Sequence, residues 1–73
     1  MAFDIYLWIY PKTDNLIKID NVPETEVNKY TTKWLNKNPN NDCMIASIEE
    51  NYYPTGANVT IATDEWLNTH LLA

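Results

Sequence analysis

The first hydrophobic segment of the chain carries two different apolar faces. Residues 3–10 read FDIYLWIY, and successive side chains of a strand point to opposite sides of a sheet. One side is an aliphatic row of Phe3, Ile5, Leu7 and Ile9, and the other is a row of Asp4, Tyr6, Trp8 and Tyr10. Since a chain this short can cover one sheet face with helices, we expect the aromatic row to face outward and to meet another molecule. The alternative is that a helix covers the aromatic row, so that both faces of the sheet are core.

The residues after this strand predict a hairpin followed by a helix. Residues 11–15, PKTDN, are of the types that turns favour, and Leu16–Ile19 returns as an antiparallel second strand. Apolar residues then recur at helical spacing, which predicts a helix over residues 23–36. Its apolar stripe consists of Val27, Tyr30 and Trp34, with Leu35 as a further candidate.

A second strand–strand–helix unit is predicted in the rest of the chain. The third strand is placed over residues 43–51 and the fourth over residues 58–62, and a short helix follows Thr63, a residue type that caps helices. The tripeptide Trp-Leu-Asn occurs in both predicted helices, and helical spacing places both of its tryptophans, Trp34 and Trp66, in the core. We therefore predict one α+β domain over residues 1–73: a four-stranded antiparallel sheet in the order ββαββα, with two helices on one face.

The charge balance favours a basic partner over a nucleic acid. Ten acidic residues stand against five lysines, there is no arginine, and the formal net charge is −5. Direct binding to nucleic acid needs clustered lysine and arginine to displace counterions from phosphates. An acidic protein is instead attracted to basic surfaces. The simpler interpretation is that the acids only keep a small protein soluble, since a charge of this size is common in small domains.

A domain of 73 residues is marginally stable, because it buries only about 60% of its unfolded surface. The single cysteine excludes an internal disulfide, and the single histidine leaves no zinc-site spacing. Oligomerisation is the remaining way to add core. We therefore predict a homodimer in which the aromatic row pairs with its copy.

Residues for catalysis are few. A Cys–His nucleophile pair needs both groups within hydrogen-bond reach, but Cys43 falls in a predicted strand and His70 in the last helix. Ser47, the only serine, lacks an elbow motif, and one glycine cannot build a phosphate-binding loop. We predict no enzymatic activity, no cofactor and no metal site. A small enzyme using Cys43 or His70 is the least favoured alternative.

The start of the chain shows no basic targeting region, and its apolar run stops at Pro11. No stretch approaches the roughly 20 apolar residues of a membrane span. We therefore expect a cytoplasmic protein without a membrane partner, in which Cys43 stays a reduced thiol.

The whole profile resembles the small acidic proteins that bacteriophages make to inhibit host enzymes. The features that carry this resemblance are the short length, ten acids, ten asparagines, no arginine, an outward aromatic row and no catalytic set. The asparagine- and lysine-rich composition is similar to that of phages of low-GC Gram-positive bacteria. Members of this class often imitate DNA and occupy the basic groove of a sliding clamp, a CRISPR effector, a restriction enzyme or a DNA-repair enzyme.

The resemblance implies an inhibitor that binds a basic, DNA-handling host protein through acids and aromatics. The predicted contact residues are Asp4, Tyr6, Trp8 and Tyr10 on the sheet, with Glu49 and Glu50 nearby. The competing hypothesis is a homodimeric structural module without inhibitory activity.

Overall fold

The computed structural model describes residues 1–9 and 12–72. The strands are β1 (Ala2–Ile9), β2 (Lys12–Pro23), β3 (Cys43–Ser47) and β4 (Asn58–Ile61). The helices are α1 (Glu24–Lys37) and α2 (Asp64–His70), with a short 3-10 helix, Ile48–Glu50, after β3. The predicted α+β class, with a four-stranded sheet and two helices, is confirmed. Tyr10, the last residue of the predicted first strand, lies outside the described residues.

The sheet is mixed, so the prediction of a fully antiparallel sheet is wrong. Its strand order is β3-β1-β2-β4. The predicted antiparallel pairing of the first two strands is confirmed, since β1 pairs antiparallel with β2, and β1 also pairs antiparallel with β3. The predicted bounds of the second strand are wrong, because β2 begins at Lys12, within the predicted turn, and continues to Pro23. The β2–β4 pair is parallel, because the chain leaves β3 at one edge of the sheet and returns in the same direction at the opposite edge.

The two predicted strand–strand–helix units are therefore not equivalent. The strands of the first unit are neighbours, whereas those of the second lie at opposite edges of the sheet. Strands of the two units are nevertheless neighbours at one place, since Asn15 lies beside Asn58 and Leu16 beside Val59 in the parallel pair. The amide Nδ2 of Asn58 donates a hydrogen bond to Oδ1 of Asn15 over 3.3 Å.

Both helices contribute to one core on the aliphatic side of β1. Ile5 and Leu7 are fully buried there, as the predicted aliphatic row requires. The buried members of this cluster are Ile5, Leu7, Ile19, Val22, Val27, Trp34 and Leu71. Trp66 and Leu67 of α2 pack against the same cluster. Neither helix in the described part of the chain is long and apolar enough to cross a membrane.

Helix α1 begins one residue later and ends one residue later than predicted. Its amphipathic pattern buries Val27, Thr31 and Trp34 and leaves Leu35 40% exposed. The hydroxyl of Thr31 donates to the carbonyl of Val27, so this polar residue is satisfied inside the helix. The predicted burial of Trp34 is confirmed, because its side chain is 4% exposed.

Helix α2 begins where its cap residue predicts. The hydroxyl oxygen of Thr63 accepts a hydrogen bond from the backbone N–H of Trp66 over 3.1 Å. Trp66 is only partly buried, and its ring lies 6.0 Å from the ring of Trp34 between centroids. The two tryptophans of the repeated tripeptide therefore contact each other and join the helices.

The aromatic side of β1 is covered by the connection between β3 and β4. This connection, residues 48–57, is called the crossover segment below. The predicted third strand ends early, at Ser47, because the Ser47 hydroxyl accepts a hydrogen bond from Glu49 N–H and starts the 3-10 helix. Pro54 of the crossover segment is buried, and Ala57 packs against the cluster of Tyr6, Leu16 and Ala46.

The burial of Trp34 predicts a large difference between two neighbouring substitutions. Trp34→Ala should lower the free energy of unfolding by about 3–5 kcal/mol, because it opens a cavity between both helices and the sheet. Leu35→Ala, at the exposed next position, should change it by less than about 1 kcal/mol. Urea denaturation of both variants measures this, and similar losses from the two would contradict the packing of α1.

Candidate protein-binding surface

Tyr6 is an internal anchor of the structure and is not an exposed contact residue. Its side chain is 1% exposed, and its hydroxyl donates a hydrogen bond to the backbone carbonyl of Tyr52 over 3.1 Å. The two rings meet edge to face, with 5.5 Å between centroids and 78° between planes. The prediction that Tyr6 faces outward is therefore wrong, because the crossover segment covers it.

Asp4 is occupied by contacts within the chain. Its Oδ2 lies 3.6 Å from Nζ of Lys18, and its Oδ1 accepts a hydrogen bond from the backbone N–H of Asn21. Asn21 has a positive φ of 55°, in a region where asparagine is enriched. The β1–β2 register shifts beside it, between Phe3 and Ile5. Asp4 thus stabilises an irregularity of the sheet, and its contribution to a partner surface is reduced.

The ammonium group of Lys18 lies near an aromatic ring and two carboxylates of the same chain, and we call this cluster the cation site. Its Nζ lies 5.9 Å from the centre of the Tyr6 ring and 3.7 Å from Oδ1 of Asp20. Partial burial lowers the pKa of Lys18, but the neighbouring Asp4, Tyr6 and Asp20 outweigh it, and the pKa is raised. Burial also raises the pKa of Tyr6, although Lys18 acts in the opposite direction.

Beside this cation site the same face of the sheet holds an open groove with a volume of about 480 Å³. We call it the aromatic groove. Its lining includes the rings of Trp8, Tyr52 and Tyr53 and the carboxylate-bearing Asp14. Tyr53 is 70% exposed and Tyr52 43% exposed. Trp8, a predicted contact residue, is partly buried and lines this groove.

Glu49 and Glu50 are both exposed, but they do not lie in a strand. They belong to the 3-10 helix, which ends at Asn51 in the left-handed conformation with φ 52°. This helix contacts β1. It belongs to the crossover segment, which also carries the exposed rings of Tyr52 and Tyr53.

The formal charge of the protein is concentrated in one part of its sequence. Residues 1–37 contain five acids and all five lysines, whereas residues 38–73 contain five acids and neither lysine nor arginine. The entire net charge of −5 thus comes from the part that includes the crossover segment. The acids of this part of the sequence are thus not offset by any lysine or arginine within it, whereas α1 alone carries three lysines.

A second groove, of about 270 Å³, lies between the two helices and is lined by Trp34, Trp66, His70, Ile9, Asn38 and Asn41. It contains no carboxylate among its described lining residues. The indole N–H of Trp34 is buried without a hydrogen-bond acceptor in the described part of the chain. The aromatic groove differs from this second groove in having a carboxylate, that of Asp14, in its lining.

The groups considered for catalysis lie in different elements of the fold. Cys43 is half-buried in β3, and burial raises the pKa of its thiol, with the Asp42 carboxylate acting in the same direction. The ring of His70 packs on that of Trp66 at 5.1 Å between centroids. Among residues 1–9 and 12–72, no three His, Cys, Asp or Glu side chains are grouped to hold a metal ion.

The sequence analysis misses Tyr52 and Tyr53, which lie between the predicted third strand and the turn at residues 54–57 and belong to no predicted element. Two signals are present in the sequence. Residues 43–51 do not alternate cleanly between apolar and polar positions, and the distance to the next apolar strand is long for a hairpin, whose loops have about 2–5 residues. A longer connection is what a return to the other edge of the sheet requires.

No protein-family model, curated protein or solved structure matches this chain. The function is therefore argued from the chemistry of the surface itself.

The hydrogen bond of Tyr6 predicts a specific response to substitution and to alkali. Tyr6→Phe should lower the free energy of unfolding by about 0.5–1.5 kcal/mol at neutral pH, because the carbonyl of Tyr52 loses its donor. Tyr6 and Lys18 both have raised pKa values, so the folded state holds their protons more tightly. The contribution of Tyr6 to the free energy of unfolding is then fully present below pH 10.0, the ordinary tyrosine value, and is lost as pH rises through the raised pKa.

Urea denaturation across this alkaline range measures the effect. The wild type should lose stability more steeply than Tyr6→Phe, which lacks the contribution of Tyr6 and keeps those of Lys18 and Cys43. Tyr53→Phe is the matched control at an exposed tyrosine and should stay within about 0.5 kcal/mol of wild type at neutral pH. Equal alkaline slopes for wild type and Tyr6→Phe would disprove the assignment to Tyr6.

Proposed function

We propose that this protein is an acidic binding protein that inhibits a DNA-handling host protein by occupying its basic DNA-binding surface. The observation that carries the proposal is the crossover segment. It carries Glu49, Glu50, Tyr52 and Tyr53 within five consecutive residues, all with exposed side chains, in a stretch of sequence without any lysine or arginine. The compositional resemblance to phage inhibitors supports the same function.

The two kinds of side chain have separate roles in such a complex. Exposed carboxylates speed the encounter with a basic surface and lose effect as salt rises, because screening acts over about 8–10 Å at physiological ionic strength. Aromatic rings bury area once the complex has formed, and tyrosine and tryptophan are enriched among residues that dominate binding energy. Of the residues predicted from the sequence, Glu49, Glu50 and Trp8 remain available to a partner. Tyr6 is buried, and Asp4 is engaged by Lys18.

The proposal is tested by capture followed by displacement. The immobilised protein is incubated with a lysate of a low-GC Gram-positive bacterium and eluted with a double-stranded oligonucleotide. DNA should release a basic, DNA-handling protein, because both ligands compete for one surface. A neutral dextran at the same concentration should release nothing. Retention of every captured protein in the presence of DNA, or direct binding of DNA to this chain, would exclude inhibition by occupancy.

Association kinetics with the captured partner then test the role of the acids. Glu49→Gln combined with Glu50→Gln should slow association about two- to tenfold and leave dissociation nearly unchanged. The matched control adds the same charge at exposed positions of α1, through Asn28→Lys combined with Thr32→Lys. A control that slows association as much as the glutamate variant would show that only net charge matters.

The homodimer is a second candidate, but it needs a different surface from the one predicted. A second copy cannot pair with Tyr6, because the crossover segment of the same chain already covers that side chain. The two edges of the sheet instead carry exposed isoleucines, with Ile45 in β3 45% exposed and Ile61 in β4 51% exposed. An exposed apolar edge strand favours pairing with another strand.

Sedimentation at micromolar concentration distinguishes this candidate. If a dimer forms through the edge of β3, Ile45→Lys should convert it to a species of 8.5 kDa, because charge on an edge strand opposes pairing. Ile61→Lys tests the edge of β4 in the same way. A wild-type protein that sediments as a monomer, with a melting temperature independent of concentration, would remove the dimer from consideration.

A further inference from the structure

Two parts of one sheet face contain the same combination of groups, a ring and a carboxylate. In the first part, Tyr6 and the carboxylates of Asp4 and Asp20 surround the ammonium of Lys18. In the second, the aromatic groove, Trp8, Tyr52 and Tyr53 lie with Asp14. The register joins the two parts, because Lys18 is paired with Tyr6 and Leu16 with Trp8 in neighbouring strands.

The groove differs from the first part in having no cation among its described lining residues. Asp14 is exposed, and the rest of the lining is apolar, aromatic or uncharged. Aromatic faces attract ammonium and guanidinium groups through the negative potential above the ring, most strongly for tryptophan. A carboxylate adds a charge-assisted hydrogen bond to the same cation.

We propose that the aromatic groove binds a lysine or arginine side chain of the partner protein, held by the rings of Trp8 and Tyr53 and by the carboxylate of Asp14. This inference rests on the proposed function and gives it a specific contact. The volume of about 480 Å³ is in the range of about 300–1,000 Å³ that small ligands occupy, so a side chain and part of its backbone can enter. The groove is open to solvent, as docking of a large partner requires.

The binding of a single cationic side chain can be tested without knowing the partner. The probe is the peptide acetyl-Gly-Arg-Gly-amide, titrated into the ¹⁵N-labelled protein and followed by NMR. The neutral control is the same peptide with citrulline in place of arginine, which has nearly the same shape and no charge. The protein has three tryptophans, so Trp8 reports on the groove while Trp34 and Trp66 serve as internal references.

We expect the arginine peptide to shift the indole N–H signal of Trp8 in a saturable manner and to leave those of Trp34 and Trp66 in place. Asp14→Asn should weaken this binding about two- to fivefold, and Tyr53→Leu by a similar factor. Tyr53→Phe should retain it, because the ring is kept. Glu65→Gln makes the same charge change at an exposed residue of α2 and should have little effect.

Several results would overturn this inference. Equal shifts of Trp8 by the arginine and citrulline peptides would show an apolar groove without cation preference. Equal weakening by Asp14→Asn and Glu65→Gln would show that net charge alone attracts the peptide. The absence of any saturable shift at Trp8 would exclude the site.

The result of the peptide titration can be distinguished from the test of the proposed function. If the aromatic groove fails to bind the arginine peptide while DNA still displaces the captured partner, the proposal of inhibition by occupancy stands and the proposed cation binding in the groove is wrong. If the groove binds the peptide but DNA displaces no partner, the proposed cation binding stands and the inhibitor proposal is wrong.

Discussion

Strand β1 is a central strand whose two faces are both apolar, and a chain of 73 residues must cover both. Both helices pack on the aliphatic face, where Ile5 and Leu7 are completely buried. The other face is covered by the longer connection of residues 48–57, through the contact of Tyr52 with Tyr6. That connection crosses from β3 at one edge of the sheet to β4 at the other, beside β2. The parallel pair results from this crossing, and the groove lies where the connection meets Trp8 and Leu16.

Features that depend on residues close together in the sequence could be predicted, whereas contacts between distant residues could not. Both helices were located within one residue of their observed starts, because the spacing of Val27 and Trp34 and the cap at Thr63 are local signals. The aliphatic row was also identified, since alternation is local. The covering of Tyr6 by Tyr52 joins residues 46 positions apart, and no local pattern reports such a pair. Of the residues proposed to contact a partner, Glu49 and Glu50 were therefore predicted from the sequence and lie exposed, while Tyr52 and Tyr53 were missed.

The contacts of Asp4 show why a row of residues on one strand need not act together. Asp4, Tyr6 and Trp8 share one side of β1, yet each has a different neighbour. Asp4 pairs with Lys18, Tyr6 donates to the backbone of Tyr52, and only Trp8 reaches an open groove. An acid or a ring predicted for binding becomes structural as soon as its own chain supplies a partner. The proposed binding surface is therefore formed by the crossover segment together with Trp8, and not by the whole row on β1.

The position of the crossover segment in the chain has a consequence for folding in cells. Residues 1–47 contain β1, β2, α1 and β3, and the β1–β2 and β1–β3 pairs involve no residue of 48–57. The cover of Tyr6 by Tyr52 joins residues 46 positions apart, and contacts over such separations form slowly. Substitutions in residues 48–57 that weaken this cover should expose Tyr6 and Leu16 and favour aggregation, so they should lower yield in cells in addition to any effect on the proposed binding.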